Sequence, residues 1–335
     1  MFVAVTGASG HLGNNVVRVL LRHNHRVRAL IHQNTLGINQ LPVEKVAADV
    51  LDLPSLQSAF DGVDTVIHLA GRISITSFDR QKVEAINITG VKNMINACLT
   101  TGVKRVVHVS SIHAHEQRPL YEELDETRPL VNHGYAAIYD YSKAQGERIV
   151  RQAIQNGLNG IIINPTGIIG PYDFEPSLFG AALLAFARGN IPFSTGGGFN
   201  WVDARDVAEG IVNAVKLAPP GEKYLLSGHW VAIRDIAFHV CSIVGKKSPS
   251  IVFPLWGVAC IAPLMTVFSR VTRKRPLFTL EAARALNSNR VISHAKASRD
   301  FGYQPRPIIE TLTDTLAWFQ ENGLLAEKKV TDASR

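Results

Sequence analysis

The chain has 335 residues, a formal net charge of +7 and an isoelectric point near 9.4. Hydrophobic residues make up 46% of it and charged residues 19%, which excludes a disordered chain and indicates one large domain with a smaller region, or two domains. The basic residues are scattered, without a basic repeat interleaved with aromatic side chains. We therefore expect no nucleic-acid partner, and the positive charge suits an anionic small molecule.

The three cysteines, Cys98, Cys241 and Cys260, lie far apart and lack the spacing of metal ligands. A sparse, odd number of cysteines favours reduced thiols in the cytoplasm and no metal site. The opening residues Phe2–Thr6 predict a strand, and no apolar signal segment is recognisable. We therefore expect a cytoplasmic protein that is not exported.

The first half of the chain alternates short β-branched runs with longer helical patterns. The predicted strands are Phe2–Thr6, Arg26–His32, Lys45–Ala48, Asp64–Ala70, Lys104–Ser111 and Gly160–Asn164. The predicted helices between them include His11–His23 and Arg80–Thr101. This alternation is typical of βαβ units around a parallel sheet buried on both faces. It predicts an α/β fold with a doubly wound parallel sheet.

After Asn164 the alternation stops, and prolines and glycines mark loops. Ala204–Leu217 predicts a helix, Lys223–Leu226 predicts a strand that returns to the sheet, and the pattern from Ile233 onward is mainly helical. We expect a domain over 1–164 with a return segment at about 200–228, a smaller, mostly helical C-terminal region over 165–199 and 229–323, and a tail over 324–335.

The segment Ile251–Ser269 is apolar and carries no charged residue. Its length approaches that of a membrane span, but Pro254 and Pro263 interrupt it. Two interpretations remain: a lid over a substrate pocket, or an interfacial helix on anionic lipid. The prolines favour the lid, so membrane association is the weaker expectation.

A glycine-rich loop, Thr6–Gly13, follows the first strand and opens the first helix. Glycines at this spacing allow a tight turn and a close approach of the backbone to a pyrophosphate, which the helix N-terminus attracts. The predicted cofactor residues here are Gly7, Ser9, Gly10, His11, Leu12 and Gly13. The first domain is thus expected to be a dinucleotide-binding Rossmann domain, and the smaller region to bind the substrate.

The end of the second strand bears on the choice of dinucleotide. NAD enzymes usually place an acidic residue there to bind the ribose hydroxyls, whereas this strand ends in His32 and Gln33. The missing carboxylate permits a 2′-phosphate, and His32 adds a partial positive charge, so we favour NADP and keep NAD as the alternative. Asp49 and Val50, after the third strand, are expected to meet the adenine side.

Tyr139 and Lys143 are spaced i, i+4 at the start of a predicted helix, so both side chains lie on one face. An adjacent ammonium stabilises a phenolate, which would lower the pKa of Tyr139 from its usual value of about 10. Ser110 and Ser111 end the fifth predicted strand, where parallel sheets bind ligands. We predict Ser111, Tyr139 and Lys143 as the catalytic residues, and Ser110 remains an alternative for Ser111.

Taken together, these motifs resemble the extended short-chain dehydrogenase/reductases, the NAD-dependent epimerase/dehydratase superfamily. Within it, the chain is most similar to the branch of dihydroflavonol-4-reductase and 3β-hydroxysteroid dehydrogenase. The resemblance extends to about Gly323. The matching segments are Thr6–Gly13, Asp49-Val50, His68–Gly71, Val109–Ser111, Tyr139–Lys143, Asn164–Pro171 and Trp201–Ala208.

The resemblance implies further roles. It places Leu69, Ala70 and Gly71 at the adenosine side of the cofactor and gives Lys143 a second contact with the nicotinamide ribose. It also assigns three residues to the nicotinamide: Pro165, Thr166 and Gly167. Asn87 falls where the family often has an asparagine. A homodimer through two bundled helices, Arg80–Thr101 and Tyr139–Gln155, is the expected assembly.

The departures from the family pattern narrow the reaction. Sugar-nucleotide dehydratases carry an Asp-Glu pair after the active-site hydroxyl, whereas this chain has Ile112 and His113. We expect an oxidoreductase, a carbonyl reductase or alcohol dehydrogenase acting on a bulky apolar ketone, aldehyde or secondary alcohol. The alternatives are a sugar-nucleotide epimerase that works by transient oxidation and a non-catalytic dinucleotide sensor.

Several side chains are expected to bind the substrate. His113 and His115 follow the catalytic serine and should face the pocket mouth. Two histidines without a third ligand do not make a metal site. Aromatic side chains in the irregular middle of the chain predict an apolar pocket. The aromatic residues predicted to contact substrate are Tyr172, Phe174 and Trp201.

Overall fold

The structure, a computed structural model, describes residues 1–74, 79–132, 136–254 and 284–326. The strands are β1 (Phe2–Thr6), β2 (Arg26–Ile31), β3 (Glu44–Ala47), β4 (Thr65–His68), β5 (Arg105–Val109), β6 (Gly160–Pro165), β7 (Gly167–Ile169), β8 (Phe193–Thr195), β9 (Gly198–Asp203), β10 (Lys223–Leu226), β11 (His229–Ala232) and β12 (Ile251–Phe253). The α-helices are α1 (His11–Arg22), α2 (Leu53–Phe60), α3 (Arg80–Glu84), α4 (Gly90–Thr101), α5 (Ile138–Gln155), α6 (Leu178–Arg188), α7 (Ala204–Leu217), α8 (Ile233–Val244), α9 (Ala295–Phe301) and α10 (Ile308–Glu321).

A parallel sheet with the strand order β10-β6-β5-β4-β1-β2-β3 lies at the centre of the described structure. Its inner strands are apolar on both faces: β4 and β6 are buried along their whole length. Helices α1, α7 and α9 cover one face, and α2, α4 and α5 cover the other. The predicted α/β fold with a doubly wound parallel sheet is confirmed.

The chain order of the strands reverses between β1 and β4, which lie side by side although β2 and β3 follow β1 in sequence. The loops at the carboxyl ends of these two strands therefore diverge to opposite sides and leave a crevice. Open α/β sheets bind their ligands at such a switch point. The fold thus fixes the position of the candidate site before any side chain is considered.

A smaller core lies beside the sheet. The three-stranded sheet β11-β9-β7 packs with α6, α8 and α10 around large apolar side chains, among them Trp318 and Phe319. The returning strand predicted at Lys223–Leu226 is present as β10, at the edge of the central sheet. None of the helices in the described ranges is long and apolar enough to cross a membrane.

Several predicted elements differ from the structure in their bounds, three of them by more than one residue. The helix expected over Arg80–Thr101 consists of α3, a π-helical turn at Ala85–Thr89, and α4. The π turn lets the buried Asn87 side chain bond with the backbone of Arg72. Strands β4 and β5 end at His68 and Val109, earlier than predicted, because the chain turns out of the sheet there toward the crevice.

Part of the apolar segment Ile251–Ser269 can be located. Its first three residues form β12, which pairs in parallel with β8. The segment from residue 255 onward, on which the lid and lipid interpretations depend, lies outside the described residues. Cys98 and Cys241 are free and buried, and Cys260 also lies outside the described residues.

Candidate active site

A cavity of about 310 Å³ opens at the crevice between β1 and β4. It is lined by loops that follow four different strands of the sheet. The predicted cofactor residues in its walls are Gly7, Ser9, Gly10, His32, Asp49, Val50, Leu69, Ala70 and Gly71. The structure therefore brings most of the predicted dinucleotide residues into one cleft.

The glycine-rich loop is held close to the sheet and to α1. Gly7 has a φ of +67°, and a Cβ atom there would lie 2.9 Å from the backbone nitrogen of Ala70. A Cβ atom on Gly13 would lie 2.1 Å from the carbonyl oxygen of Gly7. Gly10 is the N-cap of α1 and brings no side chain to the free N–H groups there. This cradle fits the pyrophosphate of a dinucleotide.

His11 and Leu12, in the first turn of α1, are placed differently from the loop. The His11 Nε2 lies 3.1 Å from the carbonyl oxygens of both Gly170 and Pro171. This nitrogen therefore ties the glycine loop to the loop that follows β7. Leu12 packs against the core on the α1 face of the sheet. Neither residue is among those that line the cofactor cleft.

The end of the cleft that is predicted to hold the adenosine contains a close polar pair, His32 and Asp49. The Nε2 of His32 lies 3.3 Å from a carboxylate oxygen of Asp49, and both side chains are substantially exposed. The Asp49 carboxylate also accepts a hydrogen bond from the backbone N–H of Leu51. The nearby Arg28 is engaged elsewhere, by Glu44. Among the residues that line the cleft, His32 is therefore the basic side chain that can face a ligand.

The residues predicted to contact the nicotinamide lie where β6 passes into β7. Pro165 is the last residue of β6, and Gly167 is the first of β7. The intervening Thr166 is 7% exposed, and its hydroxyl has no hydrogen-bond partner in the described part of the chain. A buried hydroxyl in this state can bond to a ligand such as the carboxamide of nicotinamide, so these residues also fit the cofactor.

Helix α5 presents Tyr139 and Lys143 one turn apart, as predicted. The Tyr139 side chain interacts with that of Ser111, which follows β5 and caps a short 3₁₀ turn at Ile112–Ala114. Of the two candidate serines, Ser111 is thus the one that contacts Tyr139. The buried hydroxyl of Ser110 has no hydrogen-bond partner among the described residues.

Lys143, one helical turn beyond Tyr139 on α5, extends toward the cleft. Its Nζ donates a hydrogen bond to the carbonyl oxygen of Val109, at 2.9 Å. The same Nζ is 3.7 Å from where a Cβ on Gly71 would sit. Because Gly71 lines the cleft, the ammonium is within reach of both the tyrosine side and the cofactor side of the site.

The pKa of Tyr139 differs from the prediction. Burial raises the pKa of Tyr139 to about 12, and the hydrogen bond with Ser111 only partly opposes this effect. Burial also lowers the pKa of Lys143 to about 8, against the attraction of Glu147. The predicted lowering of the tyrosine pKa is therefore wrong for the protein alone, because the loss of water outweighs the stabilising contacts. The Tyr139 phenol therefore keeps its proton at neutral pH.

The two histidines predicted at the pocket mouth have different positions. The Nδ1 of His113 is 3.6 Å from Asp140, and its ring centroid is 6.4 Å from that of Tyr139. His115 does not face the mouth: it is fully buried, and its Nε2 is 2.8 Å from the Nζ of Lys223. His115 is the C-cap of the 3₁₀ turn, and its backbone N–H donates a hydrogen bond to the carbonyl oxygen of Ile112. Among the described residues, no cluster of three metal-ligating side chains occurs.

The aromatic residues expected to bind substrate belong to the smaller core. Trp201 is 3% exposed and donates a hydrogen bond to the carbonyl oxygen of Val231. The Tyr172 ring lies 4.2 Å from the guanidinium of Arg18, and the Phe174 ring packs 4.8 Å from Trp318. These contacts account for all three as packing residues of the described structure.

Two buried histidines beneath the site were not anticipated. His68 and His108 are paired in register on β4 and β5, and their rings stack with centroids 5.6 Å apart. The Nδ1 of His68 is 2.8 Å from the hydroxyl of Thr6, which also accepts hydrogen bonds from the backbone N–H groups of Leu69 and Ala70. Burial and the charge of Lys143 lower the pKa of both imidazoles, to about 3 for His68.

A doubly wound sheet, a glycine loop at its switch point, and a Ser-Tyr-Lys set beside that loop together define a short-chain dehydrogenase/reductase. Residues 3–227 match the model of the NAD dependent epimerase/dehydratase family. The chain belongs to this family.

Several known proteins are similar to the chain over nearly its whole length. It is 33% identical to sterol demethylase protein B of Methylococcus capsulatus, over 97% of this chain and 100% of that protein. It is 28% identical to a 3 beta-hydroxysteroid dehydrogenase/Delta 5→4-isomerase of Mycobacterium tuberculosis, covering 95% and 90%. The crystal structure of gox2253 matches with a TM-score of 0.85 and 32% identity, covering 97% and 99%. A Synechocystis relative also carries the name of a dihydroflavonol 4-reductase, so the expected branch is confirmed.

Proposed function

We propose that this chain is an NAD(P)-dependent carbonyl reductase or alcohol dehydrogenase. The observation that carries the proposal is the contact of the Tyr139 phenol with Ser111, one helical turn from Lys143 and beside the cofactor cleft. A phenol that holds its proton at neutral pH suits proton donation to a carbonyl oxygen. The family also includes enzymes named as dehydrogenases and ketoreductases.

In this proposal a bound nicotinamide supplies the hydride to the carbonyl carbon, or accepts it from an alcohol. Tyr139 gives the proton to the substrate oxygen as the carbonyl becomes an alcohol. Ser111 holds that oxygen against the phenol. Lys143 places its positive charge next to both the tyrosine side and Gly71, where it stabilises the phenolate left behind.

The substrate class we propose is a bulky, mostly apolar ketone, aldehyde or secondary alcohol. Support comes from relatives named for steroid and sterol chemistry that match over at least nine tenths of this chain. His113, partly exposed near Tyr139, is the described side chain best placed to orient a polar group of such a substrate. We do not assign Trp201 or His115 to substrate, because both are buried in other contacts.

For the cofactor we propose a preference for NADP over NAD. The support is the absence of an acidic residue at the end of β2 and the position of His32 in the cleft wall. Asp49, 3.3 Å from His32, limits the strength of this preference, because its carboxylate would repel a 2′-phosphate unless His32 lies between them.

An epimerase that acts by transient oxidation is the second candidate, and the matching family model takes its name partly from that reaction. It would use the same tyrosine and lysine on a nucleotide sugar. The two candidates differ in cofactor turnover: a reductase consumes reduced cofactor in proportion to product, whereas an epimerase returns it unchanged. A sensor would bind cofactor without turnover.

The test is oxidation of NADPH and of NADH with a panel of bulky ketones and aldehydes, for the wild type and for Tyr139→Phe. Tyr121→Phe, a loop tyrosine that is 68% exposed, is the matched control. We expect turnover that favours NADPH, falls at least a hundredfold in Tyr139→Phe, and is unchanged in the control. Tight binding of cofactor without turnover on any carbonyl would refute the reductase assignment, and conversion of nucleotide sugars would then establish the epimerase.

A further inference from the structure

Below the catalytic pair, the same face of α5 carries a third ionisable side chain, that of Glu147. It lies one helical turn beyond Lys143 and is completely buried. A carboxylate in this position would be unstable without partners, because burial disfavours its charge. The positive charges of Lys223 and Arg151 and the hydrogen bond from Asn164 nevertheless help to hold the pKa of Glu147 below its usual value, against the effect of burial.

The carboxylate of Glu147 is linked to the catalytic serine through Asn164. The Asn164 amide nitrogen donates to the Oε2 of Glu147 at 2.8 Å and to the carbonyl oxygen of Ser111 at 3.0 Å. Asn164 lies on β6 and is fully buried. One amide group thus joins the helix that carries Tyr139 to the loop that carries Ser111.

The other oxygen of Glu147 faces the cations of the cluster. Arg151, one further turn along α5, donates to Oε1 at 2.9 Å. The Lys223 ammonium, at the start of β10, lies 3.8 Å from the same oxygen and 2.8 Å from the His115 Nε2. Lys143, Arg151, Lys223 and His115 are the titratable groups that face Glu147 from the packed elements.

The polar groups around Glu147 therefore come from four parts of the fold: α5 itself, β6, β10 and the turn after β5. This arrangement is rigid because moving any one partner would leave a buried charge or amide unpaired. Catalytic groups need this kind of support, since displacement of about 1 Å at the reacting atoms can cost a hundredfold in rate.

We propose that Glu147 and Asn164 are positioning residues that fix Ser111 against Tyr139, with Lys223 and Arg151 as the counterions that keep Glu147 charged. Neither Glu147 nor Asn164 touches the substrate in this proposal. Its connection to the reaction rests on the proposed function, but the geometry of the Ser111–Tyr139 contact can be measured without turnover.

The kinetic test compares Asn164→Ala, Glu147→Ala and Glu147→Gln. We expect the two alanine variants to lower kcat at least tenfold, with the KM for the cofactor within about twofold of the wild type, because the cleft is untouched. Glu147→Gln keeps an oxygen for the Asn164 amide and should retain kcat within about fivefold at pH 7. Asp206→Asn, which disrupts a buried ion pair with Arg306 on the other face of the sheet, is the control for lost stability.

The second readout is the ring ¹³C resonance of Tyr139 in protein labelled at tyrosine Cζ, identified by its absence in Tyr139→Phe. Ser111→Ala gives the change expected when the serine contact is lost. We expect Asn164→Ala to move the resonance in the same direction, and Asp206→Asn to leave it in place. If Asn164→Ala does not fold, Asn164→Ser removes the bridge while keeping a polar group in its pocket.

The outcomes separate the two proposals. A moved resonance in a protein without carbonyl turnover would refute the reductase function and support the positioning role. Wild-type kcat and an unmoved resonance in the folded Asn164 variant would overturn the positioning role, whatever reaction the enzyme catalyses. Equal loss of kcat in Glu147→Gln and Glu147→Ala would overturn the bridge through Asn164, because only the first keeps the hydrogen-bond acceptor.

Discussion

Replacing Lys143 by methionine should make the protein more stable while it destroys the activity. Methionine has a similar length and no charge, so it fills the same buried space. The ammonium of Lys143 is 7% exposed, and burial lowers its pKa from 10.5 to about 8. Since one pKa unit corresponds to about 1.4 kcal/mol, the charged side chain costs the folded state about 3 kcal/mol at pH 7.

The sign of this effect follows from the two states of the lysine. Below pH 8 the side chain is charged in both the folded and the unfolded protein, so the cost of burial is fully present. Between pH 8 and 10.5 only the folded protein loses the proton, and the cost fades. Relief of this burial contributes about 3 kcal/mol at pH 7, and loss of the hydrogen bond to Val109 takes back roughly 1 kcal/mol. The net stability gain of Lys143→Met should therefore be about 2 kcal/mol at pH 7 and small near pH 10.

Urea unfolding of the wild type and Lys143→Met at pH 7, 8, 9 and 10 measures the difference directly. Lys92→Met, at an exposed position on α4, is the matched control and should change stability by no more than about 0.5 kcal/mol. A Lys143→Met protein that is less stable at pH 7, or whose gain does not shrink with rising pH, would refute the inferred cost of burial.

Four further predictions follow from the site. His32→Asp should raise the KM for NADPH at least tenfold and leave that for NADH within about twofold; an unchanged ratio would remove His32 from cofactor choice. Gly13→Ala should abolish cofactor binding in fluorescence titrations and lower the free energy of unfolding by about 1–3 kcal/mol, because its Cβ would meet the Gly7 carbonyl oxygen. Normal cofactor binding by this variant would contradict the prediction. The kcat of the wild type should fall above about pH 8, as Lys143 loses its proton, and a flat profile to pH 9.5 would contradict that requirement for charge. Light scattering should give twice the 36.6 kDa chain mass if α4 and α5 form the proposed homodimer, and a monomer mass would exclude it.

That the predicted cofactor residues converge in one cleft could be inferred from the sequence for a physical reason. Parallel strands bring their carboxyl ends to one edge, so residues that follow different strands must converge there. Gly7, Asp49 and Ala70 are therefore found in one cavity although they are far apart in sequence. The placement of Tyr139 and Lys143 could be predicted equally well, because helical spacing alone puts both side chains on one face.

The polar cluster below the site depends on information that the sequence does not contain. Glu147 continues the helix face of the catalytic pair and could have been singled out by its spacing. Its partners Asn164 and Lys223 come from two strands whose register determines that they meet. The stacked His68 and His108 depend in the same way on the pairing of β4 with β5.

The positions of the aromatic residues predicted to contact substrate could not be inferred from the sequence, for a different reason. Tyr172 and Trp201 were assigned from the composition of an irregular segment, which gives no direction for a side chain. In the structure β9 pairs with β7 and turns Trp201 into the smaller core, whereas Tyr172 adopts a φ of +66° that carries its ring over α1.

The buried histidines should lower the stability of the folded protein in acid. His68, His108 and His115 are all held uncharged, with pKa values below the usual 6.5. Above pH 6.5 these histidines do not make the stability depend on pH. Below pH 6.5 they are protonated in the unfolded chain but stay neutral in the folded chain, so stability falls. Each such group removes at most about 1.4 kcal/mol of stability per pH unit, and His115 does so only down to about pH 4. A typical stability of 5–15 kcal/mol would thus be exhausted within a few pH units, so the protein should unfold cooperatively in mild acid.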